Sequence, residues 1–178
     1  SLWEFFSETE KRTLMGLSVF QGGFSQQAAS KVLGASNFFL DSVVNKKLIQ
    51  RDGPQRYALH ASVLQYLQEK LHANPILATD VEIRHGSHYL GLLRDSEAAL
   101  GLSDSMPLLE EILPDAENIR YAWKRTVAVG NLRLVQSALS AWISILWNRG
   151  WYKEAMDDLG MLSARLTEFS DTDPDAAL

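Results

Sequence analysis

Apolar residues recur along most of this chain at intervals of three and four, the period of helices that bury one side. Leu14 and Leu17 give the first such helix its inward side. Ser7 and Glu10 place an S-x-x-E capping box at its start. The pattern predicts that this helix runs to Gly22-Gly23. Ser25 begins a second, short helix as its N-cap, and Gly34 ends it as a C′ glycine. A third helix begins near Ser36-Asn37 and carries Phe38, Phe39, Leu40, Val43 and Val44. The pattern then changes. "LIQR" and "RYAL" flank "DGPQ", which is turn chemistry, and predict a β-hairpin over 48–59. Helical spacing returns after His60, with Leu64, Leu67 and Leu71 on one face, and stops before Asn74-Pro75. Three helices, a hairpin and a further helix predict a winged helix, a variant of the helix-turn-helix, over residues 1–74.

Beyond Pro75 the pattern is helical throughout. Thr79 and Glu82 read as a second capping box, for a helix to about Gly101, and a short helix is expected over 106–113. Asp115 is expected to cap a helix carrying Ile119, Ala122, Trp123 and Val127, closed by Gly130-Asn131. Residues 132–148 carry Val135, Leu139, Trp142, Ile145 and Leu146 up to a break at Gly150. Tyr152, Ala155, Leu159, Leu162 and Leu166 mark the last helix. Helix pairs joined by short glycine-marked turns suggest an antiparallel array of the tetratricopeptide (TPR-like) kind over 75–170. "RGWYKEA" has the G-x-Y-x-x-A spacing of such a repeat, although Trp142 and Ile143 stand where Leu-Gly is usual. One unit is legible, so an array would have to continue past Leu178. The polar, proline-broken stretch 171–178 is expected to be disordered or an artificial chain end. The fold class expected is mainly α: a winged helix followed by a TPR-like array.

Composition adds limits. The 178 residues suffice for two small cores. No run of 18 apolar residues is present, so no transmembrane helix is expected, and no signal-peptide pattern opens the chain. It begins at Ser1 inside what reads as the approach to a helix, which suggests a piece of something longer. The absence of cysteine excludes disulfides, thiolate metal sites and a cysteine nucleophile, and fits a cytoplasmic setting. The net charge of −5 is unevenly spread: residues 1–74 carry 8 Lys+Arg against 6 Asp+Glu, and residues 75–178 carry 9 against 16. The acidic second part is a poor partner for phosphate backbones.

Candidate chemistry is sparse. His60 stands where the hairpin meets the next helix, and its spacing alone reads as a capping or half-buried histidine. Glu82, His85 and His88 share a helical face at zinc-ligand spacing, but no further ligand is evident and they read as structural, so no metal is expected. Lys46, Lys47, Arg51 and Arg56 cluster at the end of the third helix and on the hairpin. They are the DNA contacts of a second reading, a DNA-binding winged-helix factor with a helical sensor or dimerisation domain. The apolar Phe38, Phe39, Leu40, Val43 and Val44 argue against that reading, and lysines at a hairpin edge also discourage strand pairing. Trp142 reads as core. Trp147 and Trp151 flank a turn, where an aromatic can anchor a partner. No acid/base pair, nucleophile elbow or glycine-rich phosphate loop is present, so no catalytic residue and no enzyme activity is expected of this chain.

"LSVFQGGFSQQAASKVLGAS", "LDSVVNKKLIQRD" and "RYALHASVLQYLQEKL" together resemble the region that follows the nucleotide-binding module in STAND ATPases, signal-transducing ATPases with numerous domains. The likeness is to the bacterial regulators and cyclase-fused members. The class is similar in plan to apoptotic protease-activating factors and plant disease-resistance proteins. It covers residues 2–75, and extends more loosely through "RHGSHYLGLL", "LEEILPDAENIRYAW" and "RGWYKEA". The resemblance implies that His60 matches a histidine reaching the phosphates of bound ADP on an upstream ATPase domain of the same chain. That contact would hold the protein closed until an inducer or protein partner binds the helical array. Ala61-Ser62 stand where the family has an acidic residue after this histidine. The Walker A pattern G-x-x-x-x-G-K-[ST] is absent from the chain, so ADP or ATP with magnesium would be held by the upstream domain and not by these residues.

Overall fold

The computed structural model describes residues 2–100 and 106–172. The protein is mainly α with one small antiparallel sheet. Its elements are α1 (Glu8–Leu17), β1 (Phe24–Ser25), α2 (Gln26–Leu33), α3 (Asn37–Asn45), β2 (Ile49–Arg51), β3 (Arg56–Leu59), α4 (Ala61–His72), α5 (Pro75–Leu100), α6 (Met106–Ile112), α7 (Ala116–Ala128), α8 (Leu132–Asn148) and α9 (Tyr152–Thr172). Short 3-10 turns, Leu2–Phe5 and Leu113–Asp115, precede α1 and α7. The chain divides into two compact units, Ser1–His88 and Tyr89–Leu178. The division falls inside α5, whereas the sequence places a boundary at residue 74, where α5 begins. No described helix is long and apolar enough to cross a membrane.

In the first unit the serine caps form as the sequence reads. The Ser7 Oγ accepts from the Glu10 N–H at 3.3 Å, and the Ser7 N–H donates to the Glu10 carboxylate at 2.8 Å. Ser25 and Ser36 cap α2 and α3 by accepting from the Ala28 and Phe39 N–H groups, without a return bond from the Ala28 or Phe39 side chains. α1, however, ends at Leu17 and not at Gly22-Gly23. Gly22 (φ 70°) and Gly23 (φ 107°) adopt left-handed backbone that cannot continue a helix, and the Ser18 hydroxyl turns back onto the Met15 carbonyl at 2.6 Å. The freed segment carries Val19 and Phe20 into the core and delivers Phe24 to a strand that the sequence reading lacked. This β1 pairs Phe24 with Tyr57 and Ser25 with Arg56, while β2 pairs Ile49 with Leu59 on the other side of β3, so β3 is the central strand. Phe24 stacks between Phe20 (4.8 Å) and Tyr57 (5.8 Å). Around this stack Leu14, Leu17, Val32, Leu40, Val43 and Ile49 are buried. α5 starts at Pro75, a favoured first helical residue, and Asn74 accepts from the Leu77 N–H at 3.2 Å. The Thr79–Glu82 pattern therefore lies inside the helix and caps nothing.

The second unit buries Tyr89, Leu90, Leu93, Ile112, Ile119, Trp123, Val135, Trp142 and Ile145. Asp115 precedes α7 as expected but does not cap it with its side chain. Its carboxylate accepts instead from the Tyr89 hydroxyl (3.4 Å) and the Asn118 amide (3.2 Å), both buried groups in need of an acceptor. Asn131 caps α8 through the Leu134 N–H, and Gly130 (φ 79°) and Gly150 (φ 71°) make the two turns around it. α9 continues through Asp171 and Thr172, two residues the sequence places in the tail. The predicted end at Gly101 and positions 173–178 of the predicted tail lie outside the described residues.

Candidate functional site

His60 occupies the N-cap position of α4, at the joint between β3 and the helix. Its backbone is extended (φ −66°, ψ 141°), its carbonyl accepts from the Leu64 N–H at 2.8 Å, and its side chain makes no capping hydrogen bond. The ring is exposed. Serine, aspartate or asparagine at this position would satisfy an amide of the first turn; histidine leaves those donors to another acceptor. The amides of the first turn, the positive end of the helix dipole and an imidazole thus face the same solvent.

The loop beside this joint is built by glycine. Gly23 at φ 107° brings the chain so close to β3 that a Cβ there would lie 2.9 Å from the Tyr57 carbonyl oxygen, a distance no side chain sustains. A small cavity of about 230 Å³ lies between this loop and the strand–helix joint, walled by Phe20, Gly22 and Gly23 on one side and Ala58, Leu59 and Leu64 on the other. Two blocks of sequence more than thirty residues apart, "VFQGGF" and "YALH", therefore meet at one place. The meeting depends on β1, the strand hidden from the sequence because two residues carry no period.

The basic residues are not gathered into one reading surface. Arg51 pairs with Asp41 and lies over the Tyr57 ring, its guanidinium carbon 5.4 Å from the ring centroid. The Lys46 ammonium donates to the Ser42 hydroxyl at 2.9 Å and sits 5.5 Å from the centroid of Phe6. Arg56 is half-buried on β3, opposite Ser25. Lys47 is exposed in the left-handed turn after α3 (φ 58°). The exposed side of α3 is also different from the one expected. Phe39, Leu40 and Val43 face the core, and Asn37, Phe38, Asp41 and Asn45 face outward, with Phe38 85% exposed.

His85 is fully buried, its ring 5.4 Å from that of Phe20, and His88 and Glu82 are half-buried. The described residues contain no group of three metal-ligating side chains. In the second unit Trp147 is 66% exposed and meets Tyr152 edge-to-face at 5.0 Å, while Trp151 is half-buried under the Arg149 guanidinium at 5.9 Å.

One group escaped the sequence reading. Asp158 on α9 is wholly buried, its carboxylate accepts from the Trp142 indole N–H at 2.9 Å, and its backbone carbonyl accepts from the Trp123 indole at 3.4 Å. One residue thus ties α9 to both α7 and α8. Burial raises its pKa above the usual carboxylate value, against the opposing hydrogen bond from Trp142. The only signal available was an acid falling among the apolar positions of α9.

No protein-family model, no curated protein and no solved structure matches this chain.

Proposed function

We propose that this chain is a non-catalytic regulatory segment of a STAND-type signalling or transcription regulator of the cytoplasm. In this reading residues 1–74 are a winged helix and residues 75–170 a TPR-like array. The order helix, strand, two helices, two strands, with β3 central, supports the first assignment. The short glycine turns around α8 support the second. The winged helix packs on an upstream nucleotide-binding domain, and His60 reaches the phosphates of its ADP. The array receives an inducer or protein partner, for which the exposed Trp147 is the preferred contact. Partner binding favours an open form, and loss of the His60 contact allows exchange of ADP for ATP.

One observation carries the reading: His60 stands exposed at an N-cap it does not cap. A histidine that neither caps the helix nor packs in the core is open to a ligand held by another domain. The outward Phe38 and Asp41 and the internally engaged Arg51 favour a protein-facing surface over DNA binding. The test is nucleotide retention. The native-length protein is purified and denatured, and released ADP is measured for wild type, His60→Ala and His60→Ser. Serine restores a capping acceptor, so it guards against loss by unfolding. The expected outcome is ADP in wild type and loss in both variants. Equal ADP in all three reduces His60 to a structural residue and overturns the sensing role.

A further inference from the structure

A second concave site lies in the first unit, on another side of α4 and independent of the nucleotide reading. It is a cavity of about 280 Å³ walled by Trp3 and Phe6 from the N-terminal turn, Leu14 from α1, and Ser62, Val63 and Tyr66 from α4. That volume falls just below the small-molecule range of about 300–1,000 Å³, which suits a small guest. Three of its walls are aromatic. Trp3 meets Tyr66 edge-to-face at 5.7 Å, so neither of these two rings offers its whole surface to the other and both keep area for a flat guest.

Two cations stand by its rings. The Lys46 ammonium lies 5.5 Å from the centroid of Phe6, and the Lys70 ammonium lies 5.4 Å from that of Tyr66. Two of the lining rings, Phe6 and Tyr66, thus each carry an ammonium group over them, and Ser62 adds a polar side chain to the lining. Glu10 acts electrostatically on Lys46, but its carboxylate is held by the Ser7 N–H and hydroxyl, each at 2.8 Å. A neutral apolar guest would gain nothing from these two ammonium groups. A guest with a ring and one negative group satisfies walls and rim together.

We propose that this groove binds a small aromatic carboxylate, its ring among Trp3, Phe6 and Tyr66 and its charge facing Lys46 and Lys70. The test is isothermal titration of the protein with 2-naphthoate and with its neutral counterpart 2-naphthamide. Naphthoate is expected to bind at one site and the amide about tenfold more weakly, as two partly exposed cations would give. The double variant Lys46→Gln/Lys70→Gln is expected to remove the preference and leave amide binding unchanged. Val63→Trp fills the cavity and is expected to abolish binding of both. Should that variant fail to fold by circular dichroism, the lysine pair decides. The proposal is overturned if the amide equals naphthoate on wild type, or if naphthoate gives no saturable heat. It is also overturned if folded Val63→Trp binds undiminished, or if naphthoate binding falls with rising protein concentration as a dimer forms, which assigns the groove to a second copy.

Discussion

Asp158 holds its carboxylate where its charge is disfavoured. A carboxylate in water gives up one indole contact at little cost; this buried one keeps its bond from Trp142 against a penalty on its charge. Because its pKa is raised in the fold, the native state binds its proton more tightly than the unfolded chain does. Stability is then greatest when both states are protonated, and declines as pH rises from the ordinary carboxylate value through the raised one. Asp158→Asn removes the titration and keeps an acceptor for Trp142. The expected result is that the stability of the variant relative to wild type rises as pH climbs past the ordinary carboxylate value and levels off above the raised one. Urea midpoints across that range, followed by circular dichroism, provide the measurement. A constant difference would mean that burial does not penalise this carboxylate. Glu10, Asp95 and Asp157, whose pKa values are lowered by their hydrogen bonds to Ser7, Arg94 and Lys153, titrate the other way, so only the difference between the two proteins isolates Asp158.

At the scale of elements, the tight joint between β1 and β3 places a specific demand on the backbone. Gly22 and Gly23 both have positive φ, but only Gly23 faces the Tyr57 carbonyl; a Cβ at Gly22 meets nothing within 4 Å. Gly22→Ala should therefore cost only the left-handed strain, about 1–2 kcal/mol. Gly23→Ala should cost about 3 kcal/mol or more, because β1 must move away from β3. Urea denaturation of the two variants ranks them, and equal losses would mean that the close approach is unimportant. The same region shows what a sequence can reveal. Ser7, Ser25 and Ser36 were legible as caps because capping is a contact within four residues. β1 was not legible, since its pairing is with a strand more than thirty residues on. Thr79 and Glu82 imitated a cap because the spacing alone does not reveal that Pro75 and Asn74 had already opened the helix. The position of His60 was readable from the change of period at the joint. That its ring caps nothing was not, because a residue type at an N-cap does not fix where its side chain points.

For the whole molecule, tryptophan divides into structure and surface. Trp142 is fully buried and bonded to Asp158, whereas Trp147, five residues on, is mostly exposed. Trp142→Ala should cost about 3–5 kcal/mol, from the cavity and the stranded carboxylate. Trp147→Ala should lie within about 0.5 kcal/mol of wild type. Denaturant midpoints separate the two, and a large loss at Trp147 would count it as packing and not as surface left for a partner. The uneven charge belongs to this scale as well: the acidic excess lies wholly in residues 75–178, which leaves the first 74 residues mildly basic around their aromatic groove.

The placement of the indoles also makes the protein its own optical instrument. Of five tryptophans, Trp3 is the sole one in the first 88 residues, and it stands on the wall of the aromatic groove. The other four lie beyond residue 120, two fully buried and two nearer solvent. Emission from the buried pair should be blue and sheltered from iodide, and that from Trp147 red and readily quenched. Trp3→Phe would remove the one indole of the groove and leave the buried pair in place, so the difference in emission between the two proteins isolates Trp3.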